Sequence, residues 1–179
     1  VLDAPVTGGD SGAKAGTLTI LAGGDKETFD FCLPVFEAMG KSIYYEGPAG
    51  NGQHTKMCNQ IAIAGALSGA CEALAYAKAV GLDPALMLES ISTGAAGSAQ
   101  MTNVASRILK DDYQPGFFMK HFIKDMKLAE EESESAGARL PMLECVLKMY
   151  EQLESQGNCD LRTQALICDY DNAGENCGE

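Results

Sequence analysis

The sequence predicts a mostly α chain with a short α/β portion at its front. Three observations carry that reading. Thr17-Leu18-Thr19-Ile20-Leu21-Ala22 has the β-branched and apolar content of a strand and is stopped by Gly23-Gly24. A helix-length run and a second short strand follow it. After Gly47 the strand signals nearly vanish, and a long apolar segment dominates what comes next.

Taken in order, Val1-Leu2-Asp3-Ala4-Pro5 reads as a strand leaving a core, and a first residue other than Met suggests a chain truncated at its front. Asp25 is a natural N-cap for a helix over Lys26 to Met39, which Gly40 would end as a C′ residue. Ser42-Ile43-Tyr44-Tyr45 reads as a strand. The loop Gly47-Pro48-Ala49-Gly50-Asn51-Gly52 has the composition of a domain joint. A helix then spans about Gln53 to Val80 and stops at Gly81; at 1.5 Å per residue it would be about 42 Å long. Asp83-Pro84 opens the next helix, through Ile91. Further helices are expected over Ser98 to Leu109, Ile123 to Gly137, Met142 to Gln156 and Leu161 to Tyr170, followed by a polar, frayed tail.

The chain has 179 residues, 46% of them apolar and 21% charged, which is enough for a real core and argues against bulk disorder. A net charge of −12 disfavours nucleic acid and anionic membranes as partners, since both want a basic face. Ile61 to Val80 carries Glu72 and Lys78 and reads as a buried helix rather than a membrane span. The seven cysteines include no C-x-x-C pair and suggest neither a zinc site nor a disulfide framework; with no secretory signal in view, they fit reduced thiols in a cytoplasmic protein.

Three stretches carry chemistry. Thr7-Gly8-Gly9 at a strand end brings backbone N–H groups together beside a hydroxyl, an arrangement that holds a carboxylate; taken alone, it is also a tight turn between two strands. Lys56, Asn59 and Gln60 share one helix face just ahead of Ile61, Ile63 and Leu67, where the polar top of an apolar helix would form a site at a domain junction. Alone, the same residues are a solvated first turn. Lys124-Asp125, after Phe117-Phe118, places a cation near a helix start against the macrodipole. His54 and His121 have no neighbours spaced as a metal shell.

Together these stretches resemble the β-hydroxyacid dehydrogenase family, which includes 3-hydroxyisobutyrate dehydrogenases and tartronate or succinic semialdehyde reductases. The substrate motif D-A-P-V-S-G-G-x-x-G-A-x-x-G-T-L is matched by Asp3 to Leu18, with Thr7 in place of serine. The catalytic motif G-x-G-x-x-x-K-x-x-N-[NQ] is matched in full by Gly50 to Gln60. K-D-L-x-L-A is matched by Lys124 to Ala129, with Met126 for leucine. The resemblance implies that residues 1–48 are the last part of an NAD(P)-binding Rossmann domain. Residues 49–179 would then be an all-helical domain for substrate binding and dimerisation, of the kind that ends 6-phosphogluconate dehydrogenases. It also implies NAD or NADP as cofactor, a small anionic hydroxyacid or semialdehyde as substrate, and a homodimer or homotetramer.

By the same resemblance Lys56 is the catalytic lysine and Asn59 orients it. Thr7, Gly8, Gly9 and Gln60 bind substrate, and Lys124 and Phe117 meet the cofactor. The G-x-G-x-x-G fingerprint is absent and would precede Val1, so this fragment alone would be inactive. Thr7 adds a methyl to the cradle, and Ala99 stands where many members carry tryptophan; both bear on substrate choice. Two alternatives stay open: a non-catalytic helical dimerisation module, and a related decarboxylating sugar-phosphate dehydrogenase, although no phosphate-binding cation cluster surrounds Lys56.

Overall fold

The computed structural model describes residues 1–113, 116–158 and 160–170. It is 65% helical, in agreement with the mostly α reading. Two compact units divide it, Val1–Gln60 and Ile61–Glu179.

The first unit runs β1 (Leu2–Asp3), β2 (Val6–Thr7), α1 (Gly9–Ala15), β3 (Leu18–Gly24), α2 (Lys26–Met39), β4 (Gly40–Gly47) and the start of α3 (Asn51–Ala79). Strand β3 is the hub. It pairs antiparallel with β1 through Leu2↔Gly24 and with β2 through Val6↔Ile20, and parallel with β4 through Ile20↔Ile43. A parallel pair needs a crossover, and α2 supplies it. Asp25 caps that helix as expected, accepting the Thr28 N–H at 2.8 Å. Ile20, Ala22, Phe29 and Phe36 form the buried core, with Leu2, Leu33 and Ile43 packed against it.

Gly40 ends α2 as expected, its N–H bonding the Phe36 carbonyl, and in an extended conformation (φ −149°, ψ 166°) it also begins β4. Its lack of a side chain serves the sheet, because a Cβ there would overlap the Leu18 carbonyl oxygen on the neighbouring strand. The glycine turn after Thr7 does not join two strands directly: it opens α1, a seven-residue helix hidden in the sequence by glycines of poor helix propensity.

The second unit takes α3 from Ile61 onward, then α4 (Pro84–Ser92), a π-helix (Gln100–Ala105) running into α5 (Ser106–Ile108), α6 (Met119–Ser135), α7 (Pro141–Ser155), a 3₁₀ turn (Thr163–Leu166) and α8 (Ile167–Tyr170). By length and composition α3 could cross a membrane. Leu67, Cys71 and Leu74 are nonetheless fully buried in protein, which is the pattern of a core helix. Its end at Gly81 (φ 75°) and the Asp83 cap of α4 fall where the sequence puts them. Helix α6 starts four residues before the expected Ile123, so Lys124 lies in its second turn, beyond the first-turn N–H groups where a cation opposes the macrodipole. Cys168 is disulfide-bonded, contrary to the expectation of reduced thiols throughout, whereas Cys32, Cys58, Cys71 and Cys145 are free. A bridge depends on Cα separation in the fold, which sequence spacing does not set. The tail from Asp171, and Cys159 and Cys177, lie outside the described residues.

Tyr150 on α7 anchors this unit. It is fully buried, edge-on to Phe122 at 5.5 Å, and donates its hydroxyl to the Thr163 carbonyl at 2.7 Å. Burial raises its phenol well above the ordinary value, so it remains a donor. Tyr150→Phe strands a buried carbonyl and is expected to cost about 1–3 kcal/mol in urea unfolding. An unchanged midpoint would mean the bond contributes nothing.

Candidate functional site

The site is built on the start of α3. Two bonds from a distant carboxylate hold that start. Asp3, at the end of β1, accepts the Gly50 N–H at 2.7 Å and the Gln53 N–H at 3.0 Å. These are donors that a helix N-terminus leaves without intrahelical partners. The contact requires glycine on both sides. A Cβ at Gly52 would overlap the Leu21 carbonyl oxygen and lie 2.7 Å from Asp3 Oδ2; one at Gly23 would lie 2.8 Å from Asp3 Oδ1 and 2.8 Å from the Gly52 nitrogen. The G-x-G at the head of α3 is therefore a close-packing device between a helix start and strand β3. Asn51 adds a bond from its side-chain amide to the Glu46 carbonyl at 2.7 Å.

Burial works to raise the Asp3 carboxyl, but the backbone N–H groups of Gly50, Gln53, Asp3 itself and Gly52 outweigh it and hold the group below its ordinary value of 3.8. Asp3 is thus an anion held against the positive end of a helix.

One turn further along, Lys56 and Asn59 are half-buried and Gln60 is only 2% exposed. The Asn59 side-chain amide donates to Gln60 Oε1 at 2.7 Å, which fixes the orientation of both. Gln60, expected from the motif to bind substrate, is buried and by this bond holds Asn59 in place. Thr7 is half-buried at the end of β2, opposite Thr19, and Gly8 and Gly9 follow it exposed, with φ of 123° and 62°. The Lys56 helix start and the glycine turn thus belong to the same compact unit.

Lys124 and Phe117 belong to the second unit. Lys124 is exposed and pairs with Asp125 at 3.1 Å, and Phe117 is 44% exposed, edge-on to Phe122 at 5.8 Å. Ala99 is exposed at the start of the π-helix. Both histidines are exposed, and no group of three metal-ligating side chains occurs among the described residues. Chemically, the first unit offers an ammonium, an oriented amide and a hydroxyl beside open backbone: parts for binding a small oxyanion and moving a proton. Sequence reasoning named Asp3 only as the first letter of a motif and missed its bond to α3. A carboxylate at a strand end and a G-x-G about fifty residues on were the available signals, but only the fold shows that they meet.

Two family models match the chain. Residues 50–169 match the NAD-binding domain of NADP-dependent 3-hydroxyisobutyrate dehydrogenase, and residues 1–47 match the NAD-binding domain of 6-phosphogluconate dehydrogenase. The uncharacterized oxidoreductase YkwC of Bacillus subtilis is 53% identical over 92% of this chain and 57% of its own length. A probable mitochondrial 3-hydroxyisobutyrate dehydrogenase-like protein of Arabidopsis thaliana is 46% identical over 93% of this chain and 49% of its own. A solved Mycobacterium tuberculosis 3-hydroxyisobutyrate dehydrogenase with L-serine superimposes with a TM-score of 0.85 at 31% identity, covering 93% of this chain and 59% of that one. The chain spans about half the length of the curated relatives it matches.

The geometry at Asp3 fixes a pH dependence. A carboxyl whose pKa is lower folded than unfolded contributes its full stabilisation above about pH 4, and that contribution disappears as pH falls through the folded value. Asp3→Asn is expected to lower stability at neutral pH by about 0.5–2 kcal/mol, the usual range for a lost cap. Its unfolding free energy should also fall less steeply than the parent's below pH 4. Parallel acid limbs would remove Asp3 from this role.

Proposed function

The chain belongs to the 3-hydroxyisobutyrate dehydrogenase family, and from that premise we propose that the protein transfers a hydride between NAD or NADP and a small β-hydroxyacid or its semialdehyde. The observation that carries the proposal is the grouping, in one compact unit, of Lys56 and Asn59 on a capped helix start with the Thr7-Gly8-Gly9 turn. Hydroxyisobutyrate and L-serine, named for the relatives, share a carboxylate and an oxygen on the β carbon. Those two groups are what a glycine cradle and a lysine would take.

In this reading the backbone N–H groups at Gly8 and Gly9 and the Thr7 hydroxyl hold the substrate carboxylate. Lys56 bonds the β oxygen. In the reductive direction its ammonium gives a proton to the oxygen as the carbonyl carbon receives hydride; in the oxidative direction the neutral amine takes that proton back. Asn59, steadied by Gln60, orients the amine and the substrate. The nicotinamide, when bound, supplies or accepts the hydride. Lys124 and Phe117 fit the cofactor as an exposed cation and an exposed aromatic face on the second unit.

Residues 1–48 serve in this account as the end of the cofactor domain and residues 49–179 as the helical substrate and dimerisation domain. Exposed Tyr76, Val80, Leu82 and Leu86 supply an apolar surface suited to a second copy. A cytoplasmic location belongs to the same reading, and the Cys168 disulfide is the feature it must accommodate.

The test uses the full-length protein, a panel of 3-hydroxy acids and semialdehydes, and cofactor absorbance. Lys56→Ala should lower kcat by about 10²–10⁴-fold, the usual contribution of general acid–base help, while NAD(P)H still binds. Turnover equal to wild type in Lys56→Ala would overturn the mechanism. Failure of every β-hydroxyacid with Lys56 intact would overturn the substrate class.

A further inference from the structure

The second unit contains a cleft that shares only Phe117 with the hydride-transfer reading. Asn103, Val104, Arg107, Phe117, Arg162 and Thr163 line it, and its volume is about 190 Å³. The chain has only three arginines, and two of them are here. Their charges are not equivalent. Arg107 gives Nη1 to Asp112 Oδ2 at 2.8 Å and is neutralised. Arg162 forms no ion pair or side-chain hydrogen bond among the described residues, although it is half-buried in a strongly acidic chain.

The seat of Arg162 is specific. Its backbone forms an isolated bridge with Phe118, and the Met119 N–H bonds the Leu161 carbonyl at 2.9 Å, fixing the chain on either side. Its guanidinium lies across Gly116 so closely that a Cβ at 116 would overlap Nε, Cζ and Nη2. Buried Gln164 donates Nε2 to the Asp112 carbonyl at 2.6 Å, which holds the 3₁₀ turn after Arg162 against the loop that carries Asp112. The opposite character comes from Val104 and the exposed ring of Phe117.

We propose that this cleft is a binding site for a small organic monocarboxylate, anchored by Arg162 and covered on its apolar side by Phe117 and Val104. A guanidinium fork matches a carboxylate with two parallel bonds. With Arg107 already paired to Asp112, Arg162 leaves the cleft one cation, which favours a single negative charge over a phosphate dianion. A volume near 190 Å³ is below the range of drug-sized and cofactor pockets, and so suits a single-ring or short-chain acid. The proposal does not depend on Lys56 or on hydride transfer.

The probe is phenylacetate, titrated calorimetrically into the full-length protein without cofactor, with phenylacetamide and inorganic phosphate as comparators. Phenylacetate should bind at least tenfold more tightly than either. Arg162→Gln should weaken it at least tenfold. Gly116→Ala should do the same, because it displaces the guanidinium while leaving its charge in the protein. Circular dichroism establishes that both variants are folded, and Lys56→Ala should leave the affinity unchanged. Equal binding of acid and amide, binding that survives Arg162→Gln, or loss in Lys56→Ala alone would each overturn the site; the last would assign the acid to the Lys56 cradle instead.

Discussion

The organisation of the first unit depends on one carboxylate. Asp3 ends a two-residue strand that could hardly hold position by its own ladder, yet it reaches the open N–H groups at the head of a 29-residue helix. The contact is electrostatically matched, an anion against the positive end of aligned peptide dipoles. It is also sterically exacting: the strand and helix backbones approach so closely that Gly23 and Gly52 leave no room for a Cβ. Because Lys56 sits one turn beyond the bonded amides, the direction in which its side chain leaves the helix is tied to the β1–β3 pairing. The same sheet orders β2 and hence Thr7. The proposed cradle and the proposed base therefore share a frame, and Asp3 is the bond that closes it.

Much of the fold was legible because its signals are local. Asp25 and Asp83 are caps that need only the next few residues, and both act as read. The apolar run of α3 and its glycine stop are similarly self-contained. What escaped depended on partners far along the chain. Gly40 ends α2 as read, but its second duty was hidden: the Leu18 carbonyl, twenty-two residues back in sequence, excludes a side chain there. Helix α1 escaped for the opposite reason, since the glycines that shape its ends argue locally against any helix.

The candidate site divides along the same line. Lys56, Asn59 and Gln60 could be grouped from spacing alone, since residues three and four apart on a helix are neighbours. The bond between the Asn59 and Gln60 side chains could not, because adjacent residues leave a helix in different directions and meet only when their rotamers turn inward. Lys124 was singled out at a helix start, but α6 begins at Met119 and places it in the second turn. Arg162 carried no sequence signal at all: a single arginine in a polar stretch looks solvated until the fold lays it over Gly116.

The most direct measurement of the central constraint is a ¹³C NMR titration of the Asp3 side-chain carbonyl, followed together with the Gly50 and Gln53 amide protons. The expected midpoint lies below the ordinary 3.8, and the amide shifts should titrate with that same midpoint as the bonds are lost. A midpoint at or above 3.8, with amides indifferent to it, would show that Asp3 does not hold the head of α3.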